Sequence, residues 1–306
     1  MEGRTTGPGR LSATVGVAAA FAVGACTGQG PPAVELPAEP AASDGIYLSI
    51  GDSYATGFRD TAAGTGPTTE AFPDQVVRLL ADGGLDLTLV NLACTGVTVG
   101  EALTRPGCDE DNRALDAPTY ETAQVPAALQ VIADRPGEVE LVTIVLGGND
   151  LAPCLPDRED VLPPDSRACV DRVVPRISSD LSRLVRELRS ALGPDVPVVG
   201  LGYPDLWLAL APTRPDLATA TLQAFRDQVN PSLRAAFEDA GAGYVDLTEA
   251  FGGDADPGIA VDVPGRGRLP APVAGICWGT YFCSDRDTHP SPDGHRLIAQ
   301  AIVAGL

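Results

Sequence analysis

Short apolar runs alternate with longer amphipathic stretches along most of the chain. Ile46 to Ile50 is apolar and stops at Gly51, the signature of a buried strand. Leu85 to Leu92, Val139 to Leu146, Val196 to Gly200 and Tyr244 to Leu247 repeat the pattern, and Val139 to Leu146 is the strongest of the five. Asp74 to Leu80, Val125 to Ala133, Val170 to Leu192, Leu217 to Ala240 and Pro292 to Ala304 have helical spacing or composition. Pro175 and Pro231 are expected to break or kink two of these helices, because proline lacks the amide hydrogen and clashes with the preceding turn. Strands alternating with helices require crossover connections, so the expected class is α/β, with a mainly parallel five-stranded sheet covered on both faces. Phe251 to Ala274 is dense in Gly, Pro and Asp and reads as a long loop, of the kind that serves as a lid or binding loop.

The first 43 residues break this pattern. Arg4 and Arg10 precede an apolar, small-residue run from Leu11 to Ala25, which is too short to span about 30 Å of hydrocarbon comfortably. A charged start, a short apolar region and small residues before a cut read as a secretory signal over residues 1–25. The next residue is Cys26, in Val23-Gly24-Ala25-Cys26, which resembles a bacterial lipobox whose cysteine is lipidated. Residues 26–43, rich in Pro, Gly and Ala, read as a tether, and residues 44–306 as one domain. The expected location is therefore the cell envelope, anchored to the outer face of the cytoplasmic membrane, with plain secretion as the alternative. A membrane is expected as a partner only through Cys26, and the domain is expected to be a monomer.

Cysteine use agrees with export. Six cysteines remain after Cys26, an even number, and they fall into three sequence-local couples: Cys94–Cys108, Cys154–Cys169 and Cys277–Cys283. There is no C-x-x-C and histidine is scarce, so no zinc or other metal is expected. The chain has 306 residues and a net charge of −20, from 41 acids against 21 bases, none of them lysine. A nucleic-acid partner would need a basic face, which this balance argues against. The six arginines between Arg167 and Arg189 alternate with acids and read as a solvated helix face.

In α/β folds the working residues sit beyond the carboxyl ends of the strands. Ser53 directly follows the first strand, Gly96 the second and Asn149 the third, while His289 lies just ahead of the last helix. Each alone is an ordinary turn or cap residue. Together they form an ordered set compatible with one site. Only His289 and His295 are available as histidine bases. His295 falls inside the last helix and reads as a surface or supporting residue, which leaves His289. Serine is a weak nucleophile until a base takes its proton, and His289 is placed in sequence to be that base and later the acid. Backbone N–H groups of Ser53 and Gly96 and the amide of Asn149 can donate to an oxyanion. No G-x-S-x-G elbow exists in the chain.

At these four positions the sequence resembles the SGNH (GDSL-like) hydrolase family of serine esterases and lipases. Ser53, Gly96, Asn149 and His289 match its four blocks in order, and Cys277-Trp278-Gly279-Thr280-Tyr281-Phe282-Cys283 is similar to the stretch preceding the final histidine in secreted actinobacterial members. The resemblance covers most of residues 45–306. It implies a flavodoxin-like three-layer α/β/α sandwich, hydrolysis of carboxylic esters or lipids through an acyl-enzyme on Ser53, and no cofactor. An O-acetyl esterase or acyltransferase acting on envelope sugars is the alternative, and a lipid-anchored binding protein on an inactive scaffold a second. One departure stands out. The family places Asp three residues before the histidine, where this chain has Arg286; Asp287, Asp285 or a backbone carbonyl remain as the group that orients His289. Trp207 and Trp278 are candidates for the substrate pocket.

Overall fold

The computed structural model describes Val34 and residues 43–306, so the signal-like segment, Cys26 and nearly all of the tether lie outside the described residues. Five parallel strands form the central sheet: β1 (Gly45–Gly51), β2 (Leu87–Asn91), β3 (Val139–Val145), β4 (Val198–Leu201) and β5 (Gly243–Val245). Their spatial order is β2-β1-β3-β4-β5. β1 and β3 are apolar on both faces because helices cover both sides, as a parallel sheet requires. One helical layer holds Phe72–Asp82 and Pro292–Ala304, packed against each other. The other holds Gln124–Asp134, Ser166–Ala191 and Asn230–Glu238. The result is the parallel sheet covered on both faces expected from the alternation, in the three-layer α/β/α sandwich that the family resemblance implies.

This strand order matters for function. The chain leaves β1 toward β2 on one side and returns to β3 on the other, so the carboxyl ends of β1 and β3 flank the point where connections diverge. Crevices at such points are where open α/β sheets bind ligands.

Two expectations change and one holds. Pro175 does not break its helix: Ser166–Ala191 runs through it as one element of 26 residues. Pro231 does mark an interruption, since Pro215–Ala224 and Asn230–Glu238 are separated by a π-helical turn at Phe225–Val229, with Pro231 in the first turn of the second helix. Helical backbone continues unbroken into that turn, and the π-turn is where the ladder adjusts to the amide hydrogen that proline lacks. Phe251 to Ala274 is not structureless. It contains an antiparallel hairpin, Ala260–Val263 with Gly267–Pro270, and the start of a helix at Ala271–Gly279. Gly265 and Gly267 adopt positive φ at the turn, which makes the glycine richness that reads as loop the means of closing a hairpin.

All three disulfides form as paired from the sequence, Cys94–Cys108, Cys154–Cys169 and Cys277–Cys283. The last closes the segment next to the histidine loop, where helices Ala271–Gly279 and Pro292–Ala304 approach closely. A Cβ on Gly294 would lie 1.8 Å from the Gly279 carbonyl oxygen. Gly294→Ala is therefore expected to cost about 3 kcal/mol, the upper range for overpacking against backbone, and a thermal melt compared with wild type checks it. Among the described residues, no helix is long and apolar enough to cross a membrane.

Candidate active site

Ser53 is presented by a tight turn at the end of β1. The buried Gln124 side chain pins that end: the Gly51 amide donates to its Oε1 (3.1 Å) and its Nε2 donates to the Gly51 carbonyl (2.9 Å). A Cβ on Gly51 would meet the Val145 and Ala55 side chains at 2.7 and 2.8 Å, so glycine lets the chain turn against β3. Asp52 then caps the helical turn Ser53–Thr56 by accepting from the Tyr54 amide (3.0 Å), and Gly57 ends it in a left-handed conformation. The Ser53 residue is only 9% exposed and faces a cavity rather than open solvent.

His289 enters from the loop before the last helix. Its Nδ1 lies 2.5 Å from Asp287 Oδ1, and Asp287 Oδ2 accepts from the Asp60 amide at 2.7 Å. Asp287 is 1% exposed, so both carboxylate oxygens are engaged away from water. Asp285 is only half-buried and points to a different partner, accepting from the Ala62 amide (3.0 Å). Arg286, at the position where the family carries Asp, has φ +56. This left-handed residue turns the chain so that the carboxylate two residues before the histidine meets the ring. The Arg286 guanidinium pairs with Asp160 and stacks over Phe282, which holds the turn. The small hairpin Arg59–Thr61 with Gly64–Gly66, not anticipated from sequence, thus presents amides to the two carboxylates flanking Arg286.

Ser53, Asn149 and His289 line one cavity of about 240 Å3. Asp52, Tyr203 and Trp207 share its wall, and Leu151, Leu155, Pro156 and Phe225 give it an apolar side. The Asn149 side chain is held by donation from Nδ2 to the Val97 carbonyl (2.9 Å). Ser53 and His289 share the cavity without a hydrogen bond between them. Such bonds are often long before substrate binds.

Three sequence candidates fall elsewhere. Gly96 lies in the adjoining loop with φ +80, next to the Val97 that holds Asn149, and is not among the residues lining the cavity. Trp278 is 36% exposed and also lies outside the cavity wall; its carbonyl accepts from Ser291 Oγ. His295 is buried rather than at the surface, and burial lowers its pKa to about 3. It therefore stays neutral at working pH. Among the described residues, no group of three or more His, Cys, Asp or Glu is placed to hold a metal ion.

Buried carboxylates set the electrostatics. Burial pushes Asp52 up to about 6, against the Tyr203 hydroxyl and Tyr54 amide, which favour its charged form. Burial likewise raises Asp74 to about 6 and Asp205 to about 7. A carboxyl whose folded pKa exceeds its unfolded value of about 4 stabilises the fold below that value and loses the contribution as pH rises through the folded pKa. Carboxylates held low, such as Glu101 and Asp60, lose theirs only below about pH 4. Thermal stability is thus expected to fall between pH 5 and pH 8, and Asp205→Asn to flatten that fall; melting curves of both proteins across this range check it.

A GDSL-like Lipase/Acylhydrolase family model matches residues 49–297. The fold is similar to that of an extracellular lipase from Streptomyces rimosus, at 18% identity and TM-score 0.52, over 87% of this chain and 100% of that one. It is also similar to a phospholipase A1 from Streptomyces albidoflavus NA297 (18%, TM-score 0.50, 86% and 100%) and to a lipase from a goat rumen metagenome (15%, TM-score 0.50, 85% and 96%). No curated protein matches the sequence. With a family match across most of its folded part and the expected sheet beneath a serine and a histidine that share one cavity, the chain belongs to the GDSL-like lipase/acylhydrolase family, enzymes that hydrolyse ester bonds.

Proposed function

We propose that this enzyme cleaves carboxylic esters through an acyl-enzyme on Ser53. The observation that carries the reading is the His289–Asp287 hydrogen bond at the wall of the cavity that Ser53 and Asn149 also line. Asp287 accepts from Nδ1–H, which leaves Nε2 of His289 as the basic nitrogen. Nε2 takes the Ser53 hydroxyl proton as Oγ attacks the ester carbonyl. The tetrahedral oxyanion is met by the Ser53 amide and by Asn149 Nδ2, both of residues that line the cavity. His289 then protonates the departing alkoxide. Water, deprotonated by the same nitrogen, attacks the acyl-enzyme and regenerates Ser53. No cofactor enters these steps.

The substrate is a small ester or lipid, and the cavity bears on its acyl length. At about 240 Å3 the cavity lies below the range of about 300–1,000 Å3 common for small-molecule sites. This favours short to medium acyl groups, and it supports removal of acetyl groups from envelope sugars as a second reading. A chromogenic ester series from acetyl to palmitoyl tests both. Turnover is expected to peak at short or medium chains and to collapse at palmitoyl, and an optimum at palmitoyl would remove the small-acyl reading. We further propose that the enzyme is exported, with Cys26 as the lipidated residue that tethers it to the membrane. Three disulfides support an oxidising compartment. Detergent-phase partitioning of the full chain, lost in Cys26→Ser, tests the anchor.

A further inference from the structure

Tyr203 follows β4 and has no counterpart in the sequence-level site, yet it reaches into its centre. Its hydroxyl donates to Asp52 Oδ2 at 2.5 Å, its ring meets the Tyr54 ring edge-on with centroids 5.2 Å apart, and it lines the cavity. A Cβ on Gly148 would lie 2.7 Å from the Tyr203 ring, which explains a glycine beside Asn149. Asn149 Nδ2 carries two hydrogens. One is committed to the Val97 carbonyl at 2.9 Å; the other faces Asp52 Oδ2 from 3.5 Å, the limit of hydrogen-bond contact. A buried carboxylate lacking a close donor would draw that second hydrogen to itself. We propose that Tyr203 is a positioning residue of the oxyanion hole: its hydroxyl occupies Asp52 Oδ2 and leaves the Asn149 amide hydrogen free for the substrate oxyanion.

The surroundings fit this role. Asp52 is also faced by the Tyr54 amide, by His289 from the last loop and by Asp150 from the segment after β3. Burial and the neighbouring Asp52 carboxylate hold the Tyr203 phenol well above its ordinary pKa, so it remains a donor across the working range. The proposal rests on the ester-hydrolase reading above, and its test keeps the two apart.

The test is a double-mutant cycle on a short-chain chromogenic ester. Tyr203→Phe is expected to lower kcat about tenfold with KM within about twofold, as for a group that acts only in the transition state. Asn149→Ala on the wild-type background costs about 10²- to 10³-fold. On the Tyr203→Phe background it is expected to cost less than about tenfold further, because the donor is already withheld. In Asp52→Asn the competing charge is gone, so Tyr203→Phe there is expected to cost less than about twofold. That pair also covers the case in which the single variant fails to fold, since it removes the stranded carboxylate. Additive losses with Asn149→Ala, a rise in KM alone, or the same tenfold loss on the Asp52→Asn background would each overturn the proposal. Ser53→Ala run alongside separates the readings: turnover that survives it sinks the acyl-enzyme itself, not the part assigned to Tyr203.

Discussion

Ser53→Ala is expected to lower kcat for any ester the enzyme turns over by at least about 10⁴-fold, with the melting temperature close to wild type. The size of the loss follows from the division of labour in the cavity. In the proposed mechanism the nucleophile, base and orienting carboxylate act as a unit, so removing one forfeits most of what the three supply together. What survives is binding and oxyanion stabilisation by Asn149 and the backbone amide at position 53. The stability expectation is equally specific. Ser53 begins a helical turn that Asp52, not Ser53, caps, so alanine removes no cap. Steady-state kinetics and a melt on the same preparation check both halves. A loss of only a few fold would mean that another group attacks the ester.

Asp287→Asn is expected to lower kcat by about 10³- to 10⁴-fold, with a smaller effect on KM. An asparagine fills the same volume, but its amide group cannot accept from Nδ1–H and from the Asp60 amide at once. Either the imidazole adopts the wrong tautomer or the Asp60 amide loses its partner. Asp285→Asn provides the contrast: Asp285 is half-buried and accepts from the Ala62 amide rather than from His289, so its loss is expected to stay within a few fold. Kinetics on both variants decide between the two carboxylates. Equal losses would return the orientation of His289 to a backbone carbonyl and leave a Ser-His dyad.

The centre of the sheet was legible because its strands there are buried on both faces. A run such as Val139 to Leu146 has no amphipathic alternative, and the observed strand, Val139–Val145, ends within a residue of the expected one. Two of the elements that escaped, the hairpins at Arg59–Gly66 and Ala260–Pro270, are short and largely solvent-facing, so no apolar period marks them. Pro175 misled for a physical reason. One proline within a helix of 26 residues is outweighed by the apolar stripe Val170, Val174, Ile177, Leu181 and Val185, which is buried in the core. At the site, residue types pointed to Ser53, Asn149 and His289, because few chemistries need those groups at strand ends, and the structure brings the three to one cavity. The choice among Asp285, Asp287 and a carbonyl could not be read, because it turns on the left-handed backbone at Arg286, and a non-glycine positive φ has no sequence mark. Tyr203 was missed for a related reason: an aromatic after an apolar strand reads as core until its hydroxyl is seen on Asp52.

The acyl-enzyme on Ser53 is tested most directly by active-site labelling. A fluorophosphonate that reacts with activated serine is incubated with the protein, and the modified peptide is identified by mass spectrometry. The expected result is a single adduct on Ser53, formed in step with loss of esterase activity and greatly slowed in His289→Ala. A protein that hydrolyses esters yet carries no adduct on Ser53, or carries it on another residue, would contradict the assignment.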